Sequence, residues 1–357
     1  MRIIFIIPYP LGKAPSQRFR FEQYTELLNK RGHSVEFAPF IDDKTWHVLY
    51  QNGKHVAKAL GIFKGFLKRI FLLFRLYRFD FVFIHREAAP VGPPVFEWII
   101  GKVFQKKIIY DFDDAIWLPN TSKENLLAAK LKWHSKTAPI CQLSYKISCG
   151  NDYLCAYARQ FNPDVVLNPT TIDTENVHNP DLYQAPKVEG KLIVGWTGSH
   201  STLMYLDQIA PVIQELEKQY EFVFLVIADK APRINCKSLQ FLPWDKNHEI
   251  RDLMALDIGI MPLTDDAWAK GKCGFKALQY MALGIPAIVS PVGVNVEIVD
   301  DGVNGYICQD QQDWYNKLEM LILDTPLRKS LGKSARKKVI ENYSVLSNAD
   351  NFLSFFE

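Results

Sequence analysis

The chain has little of what marks a metal protein, a disulfide scaffold, a secreted precursor or a nucleic-acid binder. Only six of its 357 residues are cysteine, at positions 141, 149, 155, 236, 273 and 308. None forms a CxxC pair and none is followed by histidine at metal-ligand spacing, which argues against a zinc site or a disulfide framework. The opening apolar run, Ile3 to Ile7, is too short for a signal-peptide core and lacks a small-residue cleavage site, so it reads as a first buried strand in a cytoplasmic protein. Excess charge is scarce: 42 basic against 39 acidic residues leave +3, too little to imply a nucleic-acid partner. No internal repeat of fixed period is present.

What is there is the composition of an ordinary folded protein. Apolar residues make up 48% and charged residues 23%, and the length suits two domains, each able to bury its own core. Ile3 to Ile7 ends in Pro8-Tyr9-Pro10. A polar loop through Ser16 then leads to a helical pattern from about Phe19 to Lys30, closed by Gly32, and His33 to Ala38 is the next short strand. That is the order of a parallel sheet, continued by Phe81 to Ile84, Lys107 to Tyr110, Lys146 to Ser148 and Val165 to Leu167. After a Pro- and charge-rich stretch, Asn179 to Gly190, strands return at Leu192 to Trp196, Phe222 to Ile227, Leu239 to Leu242, Ile258 to Met261 and Ala287 to Ser290. Helical segments such as Leu206 to Lys218 and Glu249 to Ala255 separate them, and Leu327 to Glu357 reads as helical. The expected fold is α/β with two doubly wound parallel-sheet domains, 1–186 and 187–339, the last helix, about 340–357, packing back on the first. Ligands of such sheets bind beyond the carboxyl ends of the strands, so the site is expected between the domains.

Most of the functional signal lies in Ala269 to Ala282, which follows a strand and reads as a loop entering a helix. Lys272, Lys276 and Gln279 are spaced i, i+4, i+7 on one face, with Phe275, Leu278 and Ala282 opposite. A helix start presents N–H groups and the positive end of a dipole, and Gly271 and Gly274 admit a close ligand. Two added lysines make this a cradle for a diphosphate; the alternative is an ordinary solvated helix face. Gly284 to Gly293, Glu297 to Val299 and Asp301 to Tyr306 then alternate tight turns, a strand and a placed carboxylate.

This segment, together with Gly12, Ser16, Arg18 and Arg20 near the N-terminus and Tyr110 to Trp117 between, resembles the retaining glycosyltransferases of glycosyltransferase family 4. These have the GT-B architecture, two Rossmann-like domains facing an interdomain cleft. The resemblance implies a UDP- or GDP-sugar donor held by the C-terminal domain, no metal, no other cofactor, and retention of anomeric configuration. Family members usually carry two glutamates eight residues apart here, one on the donor sugar and one on the ribose; the matching positions are Gly271 and Gln279. Gln279 can still hydrogen-bond a ribose without the charge-assisted component. Gly271 cannot replace a carboxylate, so either Lys270 and Lys272 reshape the site around the phosphates, or Glu297 or nearby backbone N–H groups contact the sugar. The family's basic residue after the first C-terminal strand is also absent. Gly198 and Ser199 stand there, offering backbone and hydroxyl donors to phosphate or forming a plain N-cap turn. Trp244 occupies the place where resembling enzymes contact the base, or else belongs to the core.

In the N-terminal half, Gly12 to Arg20 lies beyond the first strand, and Arg18 or Arg20 could complete a phosphate clamp. Asp111, Asp113 and Asp114 follow a strand and are candidates to orient or deprotonate an acceptor hydroxyl, or form an ordinary loop. Arg86 and Glu87 are placed likewise. From Ile62 to Arg78, the basic residues Lys64, Lys68, Arg75 and Arg78 share one arc of a helical wheel. Phe63, Phe66, Ile70, Leu73, Phe74 and Tyr77 cover the other side. Such a helix cannot span a membrane but can lie on an anionic one, unless its apolar side packs on the sheet. The expected function is transfer of a sugar to a saccharide or lipid-linked acceptor in bacterial-type surface polysaccharide or glycolipid synthesis. The alternatives are a nucleotide-sugar epimerase of the same fold and a non-catalytic nucleotide-sugar-binding paralogue.

Overall fold

The computed structural model describes residues 1–49, 51, 53–119, 132–184 and 190–357. The chain forms two compact units, Met1–Thr170 with Ala349–Glu357, and Thr171–Asn348. The stretch from Thr171 to Asn179 belongs with the second unit because its backbone is claimed there. Ile172 exchanges backbone hydrogen bonds with Tyr343 and Val345, and Arg336 donates to the carbonyls of His178, at 2.9 Å, and Ala282. Only Ala349–Glu357 returns to the first unit; residues 340–348 stay with the second.

The first unit is a six-stranded parallel sheet of β1 (Arg2–Ile7), β2 (Ser34–Pro39), β3 (Phe81–His85), β4 (Lys107–Phe112), β5 (Lys146–Cys149) and β6 (Val165–Leu167), in the order β2-β1-β3-β4-β5-β6. Five of six β1 residues and all of β3 are buried, as expected of strands covered on both faces. Phe5 packs on Phe21, Phe37 and Phe83. The returning terminus adds Phe352, stacked on Tyr24 at 4.1 Å, and Phe356, edge-on to Phe81 at 5.8 Å. The expected single helix from Phe19 to Lys30 is broken into Pro15–Arg18, a turn at Glu22–Tyr24 and Thr25–Lys30.

Arg20 is not a surface phosphate clamp. It is 1% exposed, and its guanidinium donates to the Asp111 carboxylate, the Asn168 carbonyl and, at 3.0 Å, Ser148 Oγ. Asp111 also accepts from Ser148 Oγ at 2.6 Å and meets His85 Nδ1 at 2.7 Å, which removes it from the acceptor candidates. Burial alone would raise the Asp111 pKa, but the charge of Arg20 and the hydrogen bonds of His85 and Arg20 hold it well below the usual aspartate range. A second buried arginine, Arg69 of the helix His55–Leu73, donates to the carbonyls of Ile7, Ala38 and Ala88 at 2.6–2.9 Å, tying that helix to the ends of β1 and β2.

The second unit is another six-stranded parallel sheet, built from β7 (Leu192–Gly198), β8 (Phe222–Ala228), β9 (Leu239–Pro243), β10 (Ile258–Met261), β11 (Ala287–Val289) and β12 (Gly305–Ile307). Its order, β12-β11-β10-β7-β8-β9, is that of a Rossmann sheet, reversing between β7 and β10. At Gly259 of β10 an added Cβ would lie 2.3 Å from the Tyr280 ring. The missing side chain therefore lets the helix Phe275–Ala282 press against the strand, and the Tyr280 hydroxyl accepts from the Thr197 N–H at 2.9 Å. The expected helix from Leu206 to Lys218 is split at Ile209 into a 3-10 stretch, His200–Gln208, and an α-helix, Ala210–Leu216, with Pro211 in its first turn.

The Arg20–Asp111 pair sets a pH response. Because the folded pKa of Asp111 is depressed, its contribution is complete above the ordinary value of ~3.9 and is lost as pH falls below it toward the native value. Asp111→Asn should cost about 3–5 kcal/mol at neutral pH by leaving Arg20 buried without its counter-charge. It should also flatten the acid limb of stability in urea titrations; an unchanged acid limb would count against this account.

Candidate functional site

In the second unit, two loops leave adjacent strands at the reversal of strand order. β7 ends in Gly198, followed by Ser199, whose N–H donates to Thr202 Oγ1 at 3.3 Å and whose Oγ lies 2.8 Å from that of Ser201. Beyond β10 runs a short helix, Ala267–Lys270, then Gly271, Lys272, Cys273 and Gly274. Gly274 adopts φ +67°, so the following helix begins only at Phe275. Lys272 therefore lies in the loop, and the expected common helical face of Lys272, Lys276 and Gln279 does not exist; only the last two are on the helix.

The lysines nonetheless reach the same region by another route. Lys276 Nζ sits 5.4 Å from the centre of the Trp196 ring on β7. Lys272 Nζ sits 5.9 Å from the rings of both Tyr205 and Trp268. Two cations from the β10 side thus lie over aromatic rings, and the ring under Lys276, Trp196, packs against Gly198. Lys270 points elsewhere, to Asp265 at 3.1 Å. Gln279 is 1% exposed, its amide nitrogen 3.3 Å from His178 Nε2. Glu297 is exposed on the short helix Asn295–Ile298, whose Ile298 side chain abuts Gly274.

Trp244 is half-buried just beyond β9, with its N–H on the Ala228 carbonyl at 2.9 Å, and does not join the core. β9 is two strands from β7, so Trp244 and Gly198 stand roughly 10 Å apart across the strand ends. Between them, beyond β8, Asp229 binds His200 twice, from its N–H and from Nδ1, each at 2.5 Å. Sequence reasoning did not single out this pair, although both residues stand immediately past the loop-facing ends of strands.

In the first unit the loops beyond β3 and β4 form one polar cluster. Arg86, the residue after β3, holds φ +60°, a conformation costing on the order of 1–3 kcal/mol in a non-glycine residue. Its N–H donates to the Asp111 carbonyl at 2.7 Å and its carbonyl accepts from the Tyr110 hydroxyl at 2.8 Å, which fix it there. The guanidinium reaches Asp113 Oδ1 at 2.7 Å and Asp114 Oδ2 at 2.6 Å. Burial works against this charge, but the two carboxylates more than offset it and hold the Arg86 pKa above its ordinary value. Glu87 pairs with Lys136 at 2.6 Å. Burial, aided by the charges of Arg86 and Lys136, pulls the pKa of neighbouring Lys132 down. An ionised carboxylate accepts several hydrogen bonds, which makes this pair a candidate to orient a hydroxyl.

The loop beyond β1 is tied up internally. The Gly12 N–H donates to the Glu22 carboxylate at 2.8 Å, and the Gln17 side chain bonds Tyr9 at both N–H and carbonyl. The Gly12 amide is therefore committed to a protein carboxylate, and the half-buried Arg18 lies 4.9 Å from the Phe19 ring. The structure thus brings Lys276 onto Trp196 beside Gly198 in one unit, and Arg86, Asp113 and Asp114 together in the other. Gln279 is instead buried against His178, and Lys270 pairs with Asp265.

Residues 186–338 match the model of the family "Glycosyl transferases group 1". Spore coat protein SA of Bacillus subtilis (strain 168) is 34% identical over 82 residues, 22% of each chain. N-acetyl-alpha-D-glucosaminyl L-malate synthase of Bacillus anthracis is 28% identical over 100 residues, 28% of this chain and 25% of that protein. The matched segments thus span about a quarter of these curated relatives. Among solved structures, Anabaena HepE in complex with UDP and glucose superimposes with a TM-score of 0.65 over 100% of this chain and 99% of its own, at 14% identity. At that identity the likeness speaks for the fold, and the two six-stranded parallel sheets are those of GT-B structures. The Rossmann sheet that carries the lysine loop is accordingly the part of the chain that matches the group 1 glycosyltransferase model.

Proposed function

We propose that this chain is a retaining, metal-independent glycosyltransferase that takes a sugar from a UDP- or GDP-sugar and passes it to a saccharide or lipid-linked acceptor. The observation that carries the reading is the placement of Lys272 and Lys276 on the loop and helix after β10, Lys276 over the Trp196 ring of β7, at the strand-order reversal of the matched segment. A glycosidic bond breaking toward a diphosphate loads negative charge on the phosphate oxygens, and cations fixed in advance at that place lower the barrier. Trp244, about two strand spacings away, is suited to the base. UDP is the first nucleotide to test, because Anabaena HepE was solved with it. The six cysteines are free and buried, in keeping with a reducing, cytoplasmic setting.

On the acceptor side, the carboxylates of Asp113 and Asp114 are neutralised in part by Arg86, which makes them orienting acceptors of a hydroxyl hydrogen bond rather than strong bases. The glycine at 271 favours a second reading. A non-catalytic nucleotide-sugar binder would keep the phosphate cradle and dispense with the carboxylate.

Two measurements bear on this. UDP or GDP should raise the melting temperature of the chain, since a ligand of the folded state stabilises it. Lys276→Ala should weaken that binding about tenfold or more with little loss of intrinsic stability, the size expected for one charge-assisted contact; unaltered affinity would remove Lys276 from the donor site. Asp114→Asn should leave nucleotide affinity intact while lowering transfer by at least about tenfold. A variant with full transfer would move the acceptor away from this cluster, and a wild-type chain that binds nucleotide yet turns over no donor would support the second reading.

A further inference from the structure

The helix His55–Leu73 and the turn after it present a face that the first unit leaves uncovered. Gly61, Gly65, Arg69 and Leu72 point inward, with Gly61 against Thr45, Gly65 against Phe40 and Arg69 on three carbonyls. On the opposite side, Val56, Leu60, Phe63, Phe71, Phe74 and Tyr77 are each 61–75% exposed, and Leu67 and Ile70 are exposed as well. At 100° per residue the helical members fall within one arc about a quarter of the circumference wide, running roughly 25 Å along the surface. The sequence pattern placed Phe66 and Leu73 on this stripe, but both are half-buried at its flank.

That flank extends the apolar surface to a second element. Phe66 meets Phe96 at 6.0 Å, and Phe66, Val91, Val95, Phe96 and Trp133 line one shallow groove. Past it, Val95, Trp98 and Val103 of the helical segment Val95–Val103 are also exposed. A contiguous apolar surface of this extent on a water-soluble fold marks a contact region.

The charge around it is of one sign. No aspartate or glutamate lies between Asp43 and Asp80, whereas Lys54, Lys58, Lys64, Lys68, Arg75 and Arg78 do, and Lys102 is exposed on the second element. Two acids from neighbouring elements face the helix: Asp42 takes Lys64 at 2.6 Å and Glu36 takes Arg75 at 2.8 Å. Lys54, Lys58, Lys68, Arg78 and Lys102 lie outside those two pairs. Among the described residues no helix is long and apolar enough to cross a membrane. An exposed Phe/Trp/Leu face with a cationic border is the pattern of a helix lying in the interface of an anionic bilayer.

We propose that the stripe from Val56 to Tyr77, with Trp98 and Val103 beside it, docks the first unit on an anionic lipid surface. The aromatic and aliphatic side chains enter the headgroup boundary and the lysines meet lipid phosphates. The inference deepens the transferase reading, since it makes a lipid-linked acceptor accessible, but its test needs neither donor nor turnover. The purified chain is floated with vesicles of phosphatidylglycerol and phosphatidylcholine in equal parts, with phosphatidylcholine alone as control. It should rise with the anionic vesicles and lose most of that binding in high salt. The triple variant F63S/F71S/F74S, altered only at solvent-facing positions, should keep its melting temperature and lose at least about tenfold in partitioning. Lys102→Glu combined with Arg78→Glu should weaken binding to the anionic vesicles only. The proposal is overturned if the wild-type chain stays at the bottom, if the triple serine variant floats as well as wild type, or if sedimentation shows a wild-type dimer that the triple variant dissociates, which would assign the face to a second copy.

Discussion

A parallel sheet covered on both faces leaves only the ends of its strands for polar chemistry, and both halves of this chain obey that constraint. β1, β3 and β8 are buried almost without interruption, so no side chain along them can meet a ligand. Every candidate group therefore sits where a strand stops: Gly198 and Ser199 after β7, Asp229 after β8, Trp244 after β9, the lysine loop after β10, Arg86 after β3, and Asp113 and Asp114 after β4. The constraint also explains what the candidates lean on. Lys276 is placed by Trp196 of β7, and the helix that carries it is placed by Tyr280 pressed into the gap at Gly259.

The same geometry separates two arginines that the sequence made look alike. Arg20 and Arg86 both lie beyond apolar strands of the first unit, β1 and β3. Arg20 is consumed inside the first unit, where Asp111, Ser148 and Asn168 meet it from three different strands or strand ends. Arg86 stays at the rim, 22% exposed, with two carboxylates 13% and 22% exposed. A buried ion pair of the first kind gives little net stability but is costly to break, which makes it a register device for the sheet. A rim pair in a left-handed backbone conformation is a better candidate for function, because that strain is maintained by the Asp111 and Tyr110 contacts rather than relieved.

The strands were legible because their signal is local. Eleven runs read from the sequence correspond to strands of the structure, most displaced by a residue or two at their ends; the twelfth, Gly305–Ile307, was hidden as a three-residue run inside a glycine-rich turn pattern. Helix boundaries were less so. Gly274 stands in a left-handed conformation that delays the helix to Phe275, and nothing in the i, i+4, i+7 spacing of Lys272, Lys276 and Gln279 discloses it. The inward face of His55–Leu73 was left open by the sequence, which allowed the apolar side either to pack on the sheet or to lie on a membrane. In the structure Gly61 and Gly65 allow the backbone to approach Thr45 and Phe40, and Arg69 finds three carbonyls, so the small and polar side faces inward. Partners of buried charges, such as Asp111 for Arg20, are 91 residues away in sequence and invisible without the fold.

The glycine at 271 alters the chemistry more than a single lost carboxylate would suggest. On the proposed transferase reading, with Gln279 buried against His178 and no acid at 271, the two positions where the resembling family carries glutamates contribute no charge, and the region around Lys272 and Lys276 is more cationic than with both in place. A more positive cradle favours the doubly charged diphosphate over the neutral sugar, so binding energy shifts toward the leaving group. That is where charge accumulates as the bond breaks, and interactions that strengthen there accelerate the step while those to the ground-state sugar do not. Loss of the sugar-facing carboxylate is thus compatible with turnover, at the expense of discrimination among sugars, which rests on polar contacts of the kind Gly271 cannot make.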